Sequence, residues 1–273
     1  MAAESPTPTW DPGQYLRHSR HRARPFADLL AQVNGLPGDP ARIADLGCGP
    51  GNVTAQLAVR WPGAYITGYD NSADMLARTE EHAGPTAGGG RLDFAHADLT
   101  DWAPAETYDL ITSNAALQWV PGHLESLPGW LDALAPGGTL AFQMPRNTDA
   151  PLHVLLRELA ASPRWKGLVG DAPRPADSVH DPLVYLDRLE GLGCRTDVWE
   201  TTYMQLLTGP DPVLDWAKGT AMRPVLTALA DDPEAADAFV AAYRDLLREA
   251  YPARPYGTVL PFRRLFAVAR KEA

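Results

Sequence analysis

The segment Asp45-Leu46-Gly47-Cys48-Gly49-Pro50-Gly51-Asn52 constrains the fold of this chain more than any other. Ahead of it, after Pro37, Gly38 and Pro40, the residues Ile43, Ala44 and Leu46 read as a strand; beyond it, Val53, Leu57, Ala58 and Trp61 read as a helix. Strand, glycine turn and helix in direct succession let backbone approach a ligand closely at the start of a helix. The glycines are spaced G-x-G-x-G, whereas a dinucleotide fingerprint needs glycine where this chain has Asn52. That spacing disfavours a nicotinamide oxidoreductase.

The alternation continues downstream. Pro62 and Gly63 stop the first helix, a strand over 64–69 ends at Asp70, and Ser72 can cap a helix holding Met75 and Leu76. Strands over 92–97 and 108–113 end at Asp98 and Asn114; a helix over 124–134, a Pro136-Gly137-Gly138 turn and the run 140–144 follow. Five strands separated by helical crossovers predict a parallel sheet with helices on both faces. The second half is less regular: helices over 152–159, 183–192, 212–218 and 224–251 are interspersed with strands over 195–206 and 262–269. The expected architecture is α/β, a doubly wound, seven-stranded, mostly parallel sheet in one domain over 1–273. A helical lid over 10–34 and helical cap insertions over 145–180 and 207–258 are added to it. The 26 prolines and 23 glycines exclude a helix bundle or coiled coil.

Of the 273 residues 45% are hydrophobic, enough for a sizeable core, and the net charge of -10 repels phosphate backbones. Nucleic acid is therefore not an expected partner. Two cysteines, Cys48 and Cys194, make no disulfide framework. The first twenty residues lack the apolar run of a signal peptide, and no stretch is long and apolar enough to span a membrane. A monomeric cytoplasmic protein without membrane attachment or a metal is the expectation. The basic run Arg17, His18, Arg20, His21, Arg22 and Arg24 reads as a wet helix face.

The strand ends carry the chemistry. An acidic Asp45 at the glycine turn would be out of place beside phosphates, but it can accept hydrogen bonds from an ammonium, directly or through water. Asp70, nineteen residues past Gly51, is placed like an acid that holds both ribose hydroxyls, and Asp98 where it could accept from an adenine amino group. With Asn114 at the fourth strand end, this succession resembles the class I S-adenosylmethionine-dependent methyltransferases over Arg42 to Met144. The resemblance implies their Rossmann-like fold and S-adenosylmethionine as cofactor. It also implies a cofactor site of Asp45, Gly47, Gly49, Gly51, Asp70, Asn71, Met75, Asp98, Leu99 and Asn114. In it the glycine loop wraps the methionine part, Asp98 and Leu99 meet adenine, and Met75 either packs on adenine or fills core. Asn114-Ala115-Ala116-Leu117-Gln118-Trp119 lacks the Asn-Pro-Pro-aromatic run of base N-methyltransferases.

A closer similarity spans nearly the whole chain. Trp10-Asp11-Pro12, Tyr15, Arg24-Pro25, Gln143-Met144-Pro145, His153-Val154-Leu155, Arg157-Glu158, Thr201-Thr202-Tyr203, Trp216, Arg223-Pro224 and Arg264-Leu265-Phe266 resemble the trans-aconitate 2-methyltransferase family. The resemblance implies esterification of a carboxylate of trans-aconitate or a closely similar small polycarboxylate. The chain departs from the pattern at Thr148 to Ala150 and in the longer segment Pro163 to Pro175. A carboxylate is ionised at pH 7, so esterification needs positioning and removal of water, with no catalytic base. The acids not methylated need cations, which bidentate arginines serve best. The candidates are Arg24, His153, Arg157, Arg223 and Arg264, with Tyr15, Tyr203 and Trp216 as hydrogen-bonding groups or walls. A single arginine is ordinarily a solvated surface group, and His153 is as readily a satisfied helix histidine. Cys48 reads as small filler without an activating base. A methyltransferase for another small acid or secondary metabolite is the alternative within the class; a noncatalytic cofactor-binding protein is the alternative outside it.

Overall fold

A computed structural model describes residues 19–104, 106–170, 172–173 and 175–272. Tyr15, the opening of the expected lid, and Arg17 and His18 of the basic run lie outside them.

The strands are β1 (Arg42–Leu46), β2 (Tyr65–Asp70), β3 (Gly84–Pro85), β4 (Arg91–His96), β5 (Tyr108–Asn114), β6 (Leu134–Pro145), β7 (Cys194–Leu207) and β8 (Thr258–Lys271). They form one sheet in the order β3-β4-β2-β1-β5-β6-β8-β7. The pairs among β4, β2, β1, β5 and β6 are parallel, while β8 runs antiparallel to β6. All seven residues of β5 are buried, as a strand covered on both faces requires. The α/β class and the mostly parallel sheet match the sequence reading. The count differs by one strand. Gly84–Pro85 pairs antiparallel with β4 at the sheet edge, folded back by a turn in which Thr86 N donates to Gly90 O. Two residues carry no periodicity, and proline is tolerated at an edge.

Two other boundaries move. Pro136-Gly137-Gly138 is no turn ahead of a strand but part of β6, whose register against β5 shifts between Tyr108↔Leu134 and Leu110↔Thr139, with Gly137 at φ +75°. The ladder is interrupted there, and the glycines lie within the interruption. The helical stretch expected over 224–251 is two helices, Arg223–Ala228 and Pro233–Ala250, separated where Asp232 accepts from Ala235 N and caps the second.

The chain makes two compact units. The sheet unit comprises Ser19–Pro145, Val179–Thr201 and the residues from Arg264 on. Its core gathers Leu46, Ile111, Leu127, Trp130, Phe142, Tyr185 and Leu189. The helix Ser19–Leu30 contributes Phe26, Leu29 and Leu30, all buried. The helical unit comprises Arg146–Ser178 and Thr202–Arg263, with Trp165, Trp216, Met222, Phe239, Tyr243 and Phe262 at its centre. Its first long helix, Pro151–Ala161, is held at Leu152: Tyr251 Oη accepts from Leu152 N at 3.0 Å and Tyr243 Oη donates to Leu152 O.

One polar pair is built into the sheet unit's core. His123, 2% exposed, opens the helix His123–Asp132 and donates from Nδ1 to Val120 O at 3.1 Å. Its Nε2 is therefore bare and accepts from Tyr185 Oη at 2.8 Å, on the helix Pro182–Gly191. Tyr185 Oη in turn accepts from His180 N. Burial lowers the His123 pKa below its ordinary 6.5, so as pH falls the unfolded chain takes up this proton first. The contribution is complete above pH 6.5 and is lost below it. Urea unfolding from pH 8 to 5 should therefore show the stability of a His123→Leu variant rising relative to the wild type as pH drops below 6.5; a constant difference would refute the neutral buried imidazole.

Candidate functional site

The carboxyl ends of β1, β2 and β5 lie side by side, with Leu46 opposite Tyr69 and Ser113. The glycine turn leaves β1 there. Gly47 N and Cys48 N both donate to Tyr69 O, and Ser113 Oγ donates to Leu46 O. The three glycines do different jobs. At Gly47, φ +77°, a Cβ would lie 2.1 Å from Ala116 Cβ and 3.7 Å from Leu99 Cδ1, so glycine permits the close approach of two loops. At Gly51 a Cβ would meet the Phe94 ring at 2.8 Å. At Gly49, φ +57°, nothing stands within 4 Å of the Cβ position, which leaves open space against bare backbone.

Two acids belong to the strands on either side of the turn, Asp45 to β1 and Asp70 to β2. Asp45 is 1% exposed; its Oδ2 accepts from Thr54 Oγ1 at 2.6 Å and its Oδ1 has no hydrogen-bond partner. Burial, reinforced by the nearby Asp70 and opposed by Thr54, pushes its pKa up to about 7. Asp70 accepts from Gly49 N at 2.8 Å through Oδ2 and from Ser72 N at 2.9 Å through Oδ1, so one carboxylate ties the glycine turn to the turn after β2. Burial raises its pKa, and these backbone donors oppose the rise. Asn71 Nδ2 donates to Asp98 Oδ2 at 3.3 Å, while Asp98 Oδ1 accepts from Thr100 N and Thr100 Oγ1. These donors hold the exposed Asp98 carboxyl below its usual range. Asp98 lies two residues beyond the end of β4 rather than on it. Met75 and Leu99 are buried apolar groups of the same unit.

Asn114 closes β5, and its Oδ1 accepts from Nε2 of Gln143, which is fully buried on β6. Gln143 Oε1 in turn accepts from Arg264 Nη1 at 2.9 Å; Arg264, on β8, is 3% exposed. A chain of polar groups thus crosses three strands and ends on a buried guanidinium. Next to it Ala115 has φ +59°, a conformation unusual for any residue but glycine, and its carbonyl accepts from Gln118 Nε2 at 2.6 Å. The residue reading does not assign Gln143, Thr54 and Ser72 to the site; one polar side chain inside the apolar run Leu140–Met144 is the signal for Gln143.

The other expected residues belong to both units. Arg24 lies on an exposed helix face, 3.8 Å from Asp28. In the helical unit His153 and Arg157 stand one turn apart on the helix Pro151–Ala161, His153 buried and Arg157 half-buried. Arg157 Nη2 donates to Thr148 O at 2.6 Å. Tyr203 is buried on β7, and Arg223 is half-buried at the start of its helix. Trp216 sits in the helical unit's core, 1% exposed, its ring 5.3 Å from that of Phe262. Among the described residues, no cluster of three or more His, Cys, Asp or Glu could hold a metal ion, and no helix is long and apolar enough to cross a membrane. Cys48 is buried, with its pKa raised by burial and by Asp45 and Asp70.

The raised pKa of Asp45 has a definite sign in stability. Between pH 3.8 and about 7 the folded chain holds a proton that the unfolded chain has lost, so stability falls as pH rises through that window. Asp45→Asn keeps the shape without the charge. It should be more stable than the wild type at pH 8, on the order of 2–4 kcal/mol for a carboxyl pushed up to about 7, with the gain vanishing near pH 4. Denaturant titrations across that range check this; a gain independent of pH would show that Asp45 is ionised throughout.

Residues 43–138 match the family described as Methyltransferase domain. Over 266 residues the chain is 67% identical to the trans-aconitate 2-methyltransferase of Streptomyces avermitilis, covering 97% of this chain and 98% of that one. The trans-aconitate 2-methyltransferase of Streptomyces coelicolor is 63% identical over 264 residues, 97% of this chain and 87% of that one. Among solved structures, an S-adenosylmethionine-dependent methyltransferase from Thiobacillus denitrificans in complex with S-adenosyl-L-homocysteine has a TM-score of 0.52 at 19% identity, covering 99% of this chain and 96% of that one, a likeness of fold. Identity at this level along almost the full length of both partners establishes that the chain belongs to the trans-aconitate 2-methyltransferase family.

Proposed function

We propose that this protein transfers the methyl group of S-adenosylmethionine to a carboxylate of trans-aconitate, giving a monomethyl ester. The observation that carries the cofactor is the pairing of the unpartnered, buried Asp45 Oδ1 with the open space at Gly49. A zwitterionic amino-acid tail fits both: its ammonium answers the Asp45 oxygen, directly or through water, and its flat approach needs backbone without Cβ. Asp70, its two oxygens anchored by Gly49 N and Ser72 N, retains lone pairs for ribose hydroxyls. Asp98 and Leu99 face the base, with Asn71 steadying Asp98 and Met75 supplying an apolar surface. Gly47 and Gly51 shape the loop, and Asn114 borders it. When bound, the cofactor supplies a sulfonium-activated methyl group.

The acid arrives ionised and needs no base. The chain's tasks are to align one carboxylate oxygen, exclude water and balance the charge of the rest. Arg264, 3% exposed with Nη1 donating to Gln143 Oε1, is the buried cation that this reading assigns to an acid of the substrate. Arg24, His153, Arg157 and Arg223, with Tyr15, Tyr203 and Trp216, complete the proposed substrate set. The names of relatives 63–67% identical support trans-aconitate as the acid. The net charge of -10 supports a small carboxylate rather than nucleic acid, handled by a monomer in the cytoplasm with 10–34 as a lid and 145–180 and 207–258 as caps.

Incubation with S-adenosylmethionine and trans-aconitate should give the monomethyl ester by mass spectrometry. No ester from a protein that binds S-adenosylhomocysteine removes trans-aconitate as substrate, and a panel of small carboxylic acids then separates another esterase-sensitive product from a noncatalytic binding protein. Asp70→Ala should weaken S-adenosylhomocysteine binding in calorimetry by about tenfold or more, from the loss of hydrogen bonds to a charged group. Unchanged affinity excludes Asp70 from the site. Arg264→Gln should raise KM for the acid at least tenfold while cofactor affinity stays within threefold; equal losses in both would mean that Arg264 acts through Gln143 on Asn114.

A further inference from the structure

The loop that leaves β5 holds a backbone conformation that its residue does not favour. Among the described residues Ala115 is the single non-glycine at positive φ, +59°. Left-handed backbone is ordinarily left to glycine, or to Asn and Asp, whose short polar side chains bond locally; alanine has no such group. The conformation disfavours a non-glycine residue by roughly five- to thirtyfold in population. A residue of this kind persists only where its surroundings impose the geometry, and such residues cluster at functional sites.

The imposing contacts lie on both sides of Ala115. Its N–H donates to Gln143 O at 2.9 Å, which extends the pairing of β5 with β6 by one residue. Beyond it the chain winds into the tight turn Leu117–Trp119, with Trp119 N on Ala116 O and Val120 N on Leu117 O. That turn brings Gln118 back to Ala115, and Gln118 Nε2 donates to Ala115 O at 2.6 Å. Gln118 is 6% exposed, and Leu117 and Val120 of the same turn are buried. An apolar side chain would fill such a position without stranding a polar atom, yet Gln118 Oε1 is buried with no partner. The amide is thus kept against a desolvation cost, and its one bond is the bond to Ala115.

The residue that this conformation places is the next one. Ala116 Cβ lies 2.1 Å from where a Cβ of Gly47 would be, so the loop rests on bare backbone at the first glycine of the turn. Leu99 Cδ1 lies 3.7 Å from the same point. Gly47 N and Cys48 N are committed to Tyr69 O, and Ser113 Oγ holds Leu46 O. The start of the glycine turn is therefore enclosed by the end of β2, by Ala116 and by Leu99, all within the sheet unit. Rotating Ala115 to negative φ redirects the chain at Ala116 and withdraws one of these walls.

We propose that Gln118 is a positioning residue of the cofactor site: by holding Ala115 left-handed it keeps Ala116 against Gly47 and fixes the glycine turn in the conformation that receives S-adenosylmethionine. The proposal rests on the cofactor reading above.

Calorimetry with S-adenosylhomocysteine and hydrogen–deuterium exchange of the Gly47 and Cys48 amides, both on the whole protein, test it. Gln118→Leu removes the donor at similar volume; it should weaken S-adenosylhomocysteine at least fivefold and speed exchange of both amides at least fivefold. Glycine takes positive φ without the clamp, so adding Ala115→Gly should reverse both effects. The tightening that Ala115→Gly brings should be at least threefold larger in the Gln118→Leu background than in the wild type. A lost packing contact at Gln118 would not be repaired by a glycine three residues away. Gln118→Met, which is unbranched, replaces Gln118→Leu if the latter does not fold. A loss of affinity under fivefold overturns the proposal, as does a coupling under threefold. If the wild type does not bind S-adenosylhomocysteine, the cofactor reading fails, and exchange alone then decides whether Gln118 sets the glycine turn. Faster exchange in Gln118→Leu that Ala115→Gly reverses upholds that role, and unchanged exchange refutes it.

Discussion

The candidate site depends on the carboxylate of Asp70. With one oxygen on Gly49 N and the other on Ser72 N, it locks the glycine turn after β1 to the turn after β2. It adds to the bonds from Gly47 N and Cys48 N to Tyr69 O, which tie the start of the same turn to the end of β2. Desolvation works against this arrangement by raising the pKa of Asp70, and the backbone donors oppose it. Burial, with a smaller contribution from the nearby Asp70, raises the pKa of Asp45 to about 7. Two acids set into one half-buried turn are unfavourable without a cation, which is why the space beside Gly49 is better suited to an ammonium than to a phosphate.

That electrostatic logic extends along the sheet. The parallel strands bring their carboxyl ends to one edge, so the last residue of each becomes part of a common surface. Asn114, Gln143 and Arg264 belong to β5, β6 and β8, neighbours in the sheet although far apart in sequence. Their hydrogen bonds run in one direction, from guanidinium to amide to amide, and the acids Asp45 and Asp70 stand on the neighbouring strands β1 and β2.

Much of this was legible in the residues. The periodic runs at Ile43 to Leu46, 64–69 and 108–113 read directly as strands because parallel strands covered on both faces need continuous apolar stretches. The glycine turn was legible because its three positions accept positive φ. Local patterns failed where the deciding contact is distant. Gly84–Pro85 is a strand only because β4 lies beside it, and Pro136-Gly137-Gly138 falls inside β6 because β5 pairs with it on both sides. The arginines show the same limit. Arg24 and Arg264 are one residue type under the same expectation, yet one lies on a wet helix face beside Asp28 and the other is sealed against Gln143.

The sequence by itself determined the α/β alternation and the order of the acids at the strand ends. These follow from short-range facts: periodicity and turn residues. Only the tertiary structure decided which glycine faces open space, which oxygen of Asp45 is left without a partner, and that Asn114, Gln143 and Arg264 join in one chain of hydrogen bonds. Hydrogen-bond satisfaction is a property of three-dimensional neighbourhoods, and no spacing in the chain records whether a polar atom, once buried, has found its partner.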